Sequence, residues 1–233
     1  MTIERVIAIR PEPGCSATVA RGREMGLPIA GFPLFEILPA EWEVLEPSQF
    51  DGLLVGSANV FRHGGEGLAK LRGLPVHAVG AATAKAARAS GFTVEQEGQG
   101  GLQAVLDLLA GQQRNMLRLA GRDNVPLVPP PGIKLAERIC YESRALPMSA
   151  QLQDALRQGA LVLLHSAIAA EHFARECSRL QVDFGKVTLA CLGPRIVDAA
   201  GEGWAAIHSA QNPSEAALLA LARDMCHGKA IER

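Results

Sequence analysis

The sequence predicts an α/β protein of two lobes, each built on a parallel sheet, with one lobe discontinuous in the chain and the other inserted into it. Two observations lead there. Two stretches read as imperfect copies of one strand–helix–strand–helix unit, and two extended segments bracket the first copy. The 233 residues suit one large domain or two small ones, and a hydrophobic fraction of 48% is ample for packed cores.

Taken in order, residues 5–9 form a β-branched run closed by Arg10-Pro11, a first strand. Residues 14–25 have helical character and Gly26 stops them. Residues 33–39 are extended with a proline at each end, which suits a connector better than a central strand. The first copy follows. An apolar strand leads to Gly56-Ser57-Ala58-Asn59, and a second strand at 76–79 ends in Gly80. An Ala-rich helix at 81–90 stops at Gly91, and an apolar helical run begins at Leu102. Residues 115–120 read as a further strand, and the prolines at 129–131 forbid a helix there. Residues 133–146 alternate loosely and read as a second extended connector before Pro147. The second copy repeats the pattern: an apolar strand ends in His165-Ser166-Ala167, a second strand in Leu192-Gly193-Pro194-Arg195, and an apolar run starts at Ala216. That last helix is expected to open with Asn212 as cap, Pro213 at its first position and Glu215 completing a capping box.

The boundaries follow. Residues 1–34 and 148–233 are expected to form the discontinuous domain, 40–132 the inserted one, and 33–39 and 133–147 a hinge of two β connectors. Both lobes are then Rossmann/flavodoxin-like. In such open sheets ligands sit outside the carboxyl ends of the strands, so two of these edges predict a shared cleft.

Composition excludes several classes. The 23 Lys and Arg against 24 Asp and Glu leave a net charge of -1, which argues against nucleic acid or an anionic membrane as partner. Of five cysteines, Cys140, Cys177 and Cys191 fall in or beside apolar runs and read as reduced core thiols; no Cys-x-x-Cys spacing occurs. The start lacks a basic-then-apolar signal pattern, and no apolar run reaches the roughly 18 residues that span a bilayer. A cytoplasmic monomer is expected. His165 and His172 lack a metal-ligand spacing and read as structural. The run Gly64-Gly65-Glu66-Gly67 follows no strand directly, so it is a loop and not a dinucleotide fingerprint. No cofactor and no metal are expected.

The run Val79-Gly80-Ala81-Ala82-Thr83-Ala84 with Gly91, the strand end at Ser57, the connector Ile139-Cys140-Tyr141-Glu142-Ser143 and the turn Leu192-Gly193-Pro194 together resemble uroporphyrinogen-III synthase. The resemblance covers essentially the whole chain. It implies a cofactor-free enzyme of tetrapyrrole synthesis. Its substrate is hydroxymethylbilane, a linear tetrapyrrole bearing acetate and propionate groups. Loss of the terminal hydroxyl gives an azafulvene, and a spiro intermediate then recloses with ring D inverted. The bilane cyclises unaided to the wrong isomer, so the protein need only orient it and stabilise developing charge.

Ser57 and Ser166 each follow a buried strand and precede a helix. Either is an ordinary N-cap or part of an anion site built of a hydroxyl and free N–H groups. Gly80 and Thr83 carry the same dual reading, and the resemblance assigns them, with Gly193 and Pro194, to substrate binding. Asn59 is a further polar candidate, and Arg10 can reach a carboxylate or form a surface ion pair. Tyr141, the one tyrosine, matches the family tyrosine that assists departure of the hydroxyl, and an ordinary phenol with pKa about 10 can donate a proton at neutral pH. One departure stands out. The family often has Thr after the Gly-Pro turn, where this chain has Ile196. That keeps a noncatalytic two-lobed binding or regulatory paralogue as an alternative. A two-domain glycosyltransferase is a third reading, disfavoured by small lobes and the lack of a diphosphate loop.

Overall fold

The computed structural model describes residues 3–228, in two compact units: Met1–Glu36 with Ala145–Arg233, and Ile37–Arg144. In chain order the first unit supplies β1 (Val6–Ala8), α1 (Gly14–Glu24) and β2 (Ile29–Gly31). The chain then passes along β3 (Phe35–Pro39) into the second unit: β4 (Gly52–Val55), α2 (Asn59–His63), β5 (Val76–Ala78), α3 (Ala81–Ala89), β6 (Val94–Glu97), α4 (Leu102–Asp107) and β7 (Arg114–Gly121). It leaves along β8 (Ile133–Ala145) and completes the first unit with α5 (Ala150–Arg157), β9 (Ala160–Leu164), α6 (Ala167–Arg179), β10 (Val187–Cys191), α7 (Pro194–Ala200), β11 (Ala206–Ser209) and α8 (Glu215–Cys226).

The first sheet is wholly parallel in the order β11-β10-β9-β1-β2. Its strands β1 and β9 are apolar at every position, and β10 at all but Thr188, because helices cover both faces. Ile7, Ile9, Val162 and Leu164 point into a core shared with α5, α6 and α7, whereas Val6, Ala8, Leu161 and Leu163 face α1 and α8. Each such side chain removed from water contributes about 1.5–3 kcal/mol.

The second sheet has the order β3-β8-β7-β4-β5-β6. Leu53 and Val55 face the core over α2 and α3, and Leu54 faces α4 with Val105, Leu106 and Met116. This sheet is mixed, which corrects the expectation of parallel sheets throughout. Ala40 N–H donates to the Cys140 carbonyl and Leu146 N–H to that of Leu34, the crossed pattern of antiparallel strands, so β3 runs against β8. Nor is β8 only a connector: it pairs in parallel with β7 from Arg114↔Ile133 to Gly121↔Tyr141. The loop at 122–132 replaces a crossover helix between these two strands, as its four prolines require.

Helix starts follow the strand ends. Ser166 caps α6 through Ala169 N–H, and Ser149 caps α5 through Leu152 N–H. The capping box at α8 does not form. Ser214, not Asn212, is the cap, accepting from Ala217 N–H, and Glu215 is the first helical residue with its side chain turned elsewhere.

In the first unit Trp204 stacks on Phe184 with centroids 4.0 Å apart, and on Phe173 at 5.5 Å. Its indole N–H donates to the Ala200 carbonyl at 3.0 Å. Replacing it leaves a void that the short helix α7 cannot fill. Trp204→Ala is expected to cost about 3–5 kcal/mol in urea unfolding followed by circular dichroism; a loss under about 1 kcal/mol would show that the stack adds little.

Candidate active site

Each sheet has a point where connections from neighbouring strands depart in opposite directions, and in open sheets of this kind ligands bind there, outside the strand carboxyl ends. In the second unit, chain order across the sheet reads third, second, first, fourth, fifth, so the reversal falls between β4 and β7. Ser57 stands two residues beyond β4, and its Oγ accepts the Asn59 N–H at 3.2 Å. Gly121 ends β7. A register shift between Ala120 and Gly121 sets Tyr141 of β8 opposite that glycine. The Tyr141 phenol hydrogen-bonds the Ser57 side chain and the Gly121 backbone. A Cβ on residue 121 would lie 2.5 Å from the Tyr141 ring, so only glycine admits this approach. Burial pushes the phenol above its ordinary value of 10, outweighing the opposite effects of Ser57 and Arg118, so the group stays protonated at neutral pH.

Arg118 lies beneath, on β7. Its guanidinium is almost wholly buried, paired with Glu137 at 2.8 Å and donating to the Val125 carbonyl at 2.9 Å, while its Nε is buried without a partner. The other candidates of this unit line the adjacent strand end. Gly80 caps α3 in an extended conformation and Thr83 sits in the first turn of that helix. Thr83 is 4% exposed, and among the described residues its hydroxyl has no hydrogen-bond partner. Asn59 opens α2 and its Oδ1 accepts from Arg62 at 3.1 Å, so its side chain is already partly engaged.

In the first unit the order reads second, first, third, fourth, fifth, and the reversal lies between β1 and β9. Arg10 follows β1 and His165 follows β9. Arg10 Nη1 pairs with Glu215 Oε2 at 2.9 Å, the ion-pair alternative of its two sequence readings. His165 Nε2 meets the same oxygen at 3.1 Å, and Thr18 Oγ1 donates to Oε1. Ser166 is exposed beside this cluster, and Gly193 and Pro194 begin α7 one strand away with open space before Gly193. Ile196 packs in the core, at the same helical position as Thr83 in α3. Among the described residues, no group of three or more His, Cys, Asp or Glu is disposed to hold a metal ion.

A family model described as uroporphyrinogen-III synthase HemD matches residues 16–220. The chain belongs to the uroporphyrinogen-III synthase family. This is a family of enzymes, cyclising lyases of porphyrin and heme biosynthesis. No curated protein sequence matches the chain. Among solved structures, uroporphyrinogen-III synthetase from Helicobacter pylori has 18% identity over 96% of this chain and 100% of its own, with a TM-score of 0.66. A mutant uroporphyrinogen-III synthase from the extremely thermophilic bacterium Thermus thermophilus has 17% identity over 95% of this chain and 98% of its own, with a TM-score of 0.50. At these identities the likeness speaks for the two-lobed fold alone.

Within this family member, Glu215 and Arg118 belong to the strand-end clusters and are not singled out by sequence reasoning, and His165 packs into the Glu215 cluster. The position of Glu215 suggests a cap, and its partners at 10, 18 and 165 are far away in the chain. Burial raises its carboxyl, but hydrogen bonds from His165 and Thr18 and the charges of His165 and Arg10 more than reverse this, lowering it from the ordinary 4.5 to about 2. A depressed carboxyl contributes stability that is complete above about pH 4.5 and is lost as pH falls towards 2. Between pH 5 and 3 the urea midpoint is therefore expected to fall more steeply in the wild type than in Glu215→Gln. Parallel curves would mean that the carboxylate is not held in this way.

Proposed function

We propose that this chain, acting as a cytoplasmic monomer, converts hydroxymethylbilane to uroporphyrinogen III, with Tyr141 assisting departure of the terminal hydroxyl. The observation that carries this reading is the protonated phenol held by Ser57 and Gly121 at the β4/β7 reversal. As the C–O bond breaks, its electron pair leaves with the oxygen, the phenol gives its proton to that oxygen so that water departs, and the adjoining pyrrole is left as the N-protonated azafulvene; the ring proton shed when the closed macrocycle rearomatises returns to the phenolate. Attack from the substituted carbon of ring D, a spiro intermediate and reclosure complete the inversion. None of these later steps needs a protein nucleophile, so the remaining task is positioning.

Substrate carboxylates are read as bound by Ser57, Asn59, Gly80 and Thr83 of one unit and Arg10, Ser166, Gly193 and Pro194 of the other. The spare hydroxyl of Thr83 and the open backbone at Gly193 support this assignment. Neutral hydrogen bonds of this kind contribute about 1 kcal/mol each, so recognition is distributed and not vested in one residue. The noncatalytic alternative rests on Ile196, which offers no side-chain donor at the helical position that Thr83 holds in the other unit.

Fresh hydroxymethylbilane incubated with the protein, followed by oxidation and separation of isomers, is expected to yield type III; type I alone would overturn the reading. Tyr141→Phe is expected to lower kcat by up to about 10²-fold, with folding intact and type III still favoured in the remaining turnover. An unchanged kcat would reduce Tyr141 to packing.

A further inference from the structure

We propose that Glu215 is a positioning residue that holds Arg10 ready for a carboxylate of the linear tetrapyrrole. This rests on the function proposed above and adds a residue that the family resemblance does not assign. Glu215 opens α8, yet its side chain, 17% exposed, serves three other segments. Thr18 from α1 donates to Oε1, and His165 beyond β9 meets Oε2. A carboxylate with a depressed pKa only accepts, so His165 carries its proton on Nε2 and gives it to Glu215; its Nδ1 is buried without a partner. These two donors fix the carboxylate from below, and Arg10 is the third contact and the most exposed, at 35%.

The guanidinium is thereby left with a free side. Among the described residues, Nη1 is the one nitrogen of Arg10 with a hydrogen-bond partner. The Nε and Nη2 edge turns toward Gly14, where a Cβ would stand 2.5 Å from Nε and 3.1 Å from Nη2. Glycine at this helical position lets the guanidinium lie close over the start of α1. A guanidinium offers a planar fork of donors matched to a carboxylate on each edge. Glu215 holds Nη1, and the side chain, 35% exposed beside the β1/β9 reversal, keeps donors to offer a ligand there. A flexible arginine without Glu215 would have to be ordered by the substrate, at a cost in affinity.

Glu215→Gln should therefore raise KM for hydroxymethylbilane about tenfold while leaving kcat and the ratio of type III to type I within about twofold. In an Arg10→Gln background the same substitution should raise KM no further, since its effect passes through the arginine. Glu215→Asp keeps a carboxylate at the helix N-terminus, which favours folding, but falls one methylene short of Arg10; it too should raise KM, which keeps the test open if the Gln variant does not fold. An unchanged KM with a lowered melting temperature in either variant, or additive effects with Arg10→Gln, would overturn the positioning role. A wild-type protein that makes only type I would overturn the functional reading instead, so the two failures are distinguishable.

Discussion

The constraint on which the rest depends is the double covering of parallel strands. When helices lie on both faces of a sheet, every residue within a central strand is committed to a core and every backbone group to a ladder. Polar chemistry is then confined to the strand ends, and it is least crowded where successive connections part to opposite faces. The candidate ligand-facing groups of both units obey this, although Arg118 and His77 of the second are buried within β7 and β5. Ser57 and Gly121 mark the parting in one, Arg10 and His165 in the other, each within two residues of a strand's last ladder position or at that position itself.

The units reach the same result by different windings. In the first, α1 carries the chain between β1 and β2, and Thr18 of that helix reaches back to the cluster at the strand ends. In the second, the equivalent passage is the proline-bearing loop at 122–132, which covers less of the sheet. Compensation comes from β8, which is 13 residues long, lies between β7 and β3, and delivers Tyr141 beside the end of β7. The register shift there places Tyr141 opposite Gly121 and leaves Cys140 in the core, its thiol toward the Ala120 carbonyl and its pKa pushed up to about 11 by burial.

What was legible in the sequence was whatever depends on neighbours in the chain. Apolar runs ending in Gly or Ser marked β4, β5, β9 and β10, and Gly26 and Gly91 marked helix ends. The strands β2, β6 and β11 were not distinguished, since they are three or four residues long and only partly buried. The double role of β8 was hidden because loose alternation between prolines looks the same in a connector and in a strand with one neighbour on each side. Tyr141 and Ser57 were legible singly, but their meeting depends on a bulge. The Glu215 cluster was beyond reach, because a local capping pattern competed with contacts to residues as much as 205 positions distant. Local signals report local geometry, and the Arg10–Glu215 contact is not local.

The hydrogen bonds around Tyr141 bear on how so weak an acid can serve. The Ser57 oxygen accepts the Asn59 N–H and lies beside the phenol. Ser57 and the Gly121 backbone both favour the ionised phenol, the direction expected of groups that donate to its oxygen. Burial acts the other way, and more strongly, keeping the phenol's own proton in place until an acceptor arrives. On the proposed reading that acceptor is the departing hydroxyl oxygen, whose basicity rises only as the C–O bond stretches. Donors aimed at the phenol oxygen would steady the charge left behind at the same moment. An acid that is weak at rest and assisted as it gives up its proton suits a bilane whose hydroxyl leaves readily, because a stronger one would promote loss before the chain is folded for inversion.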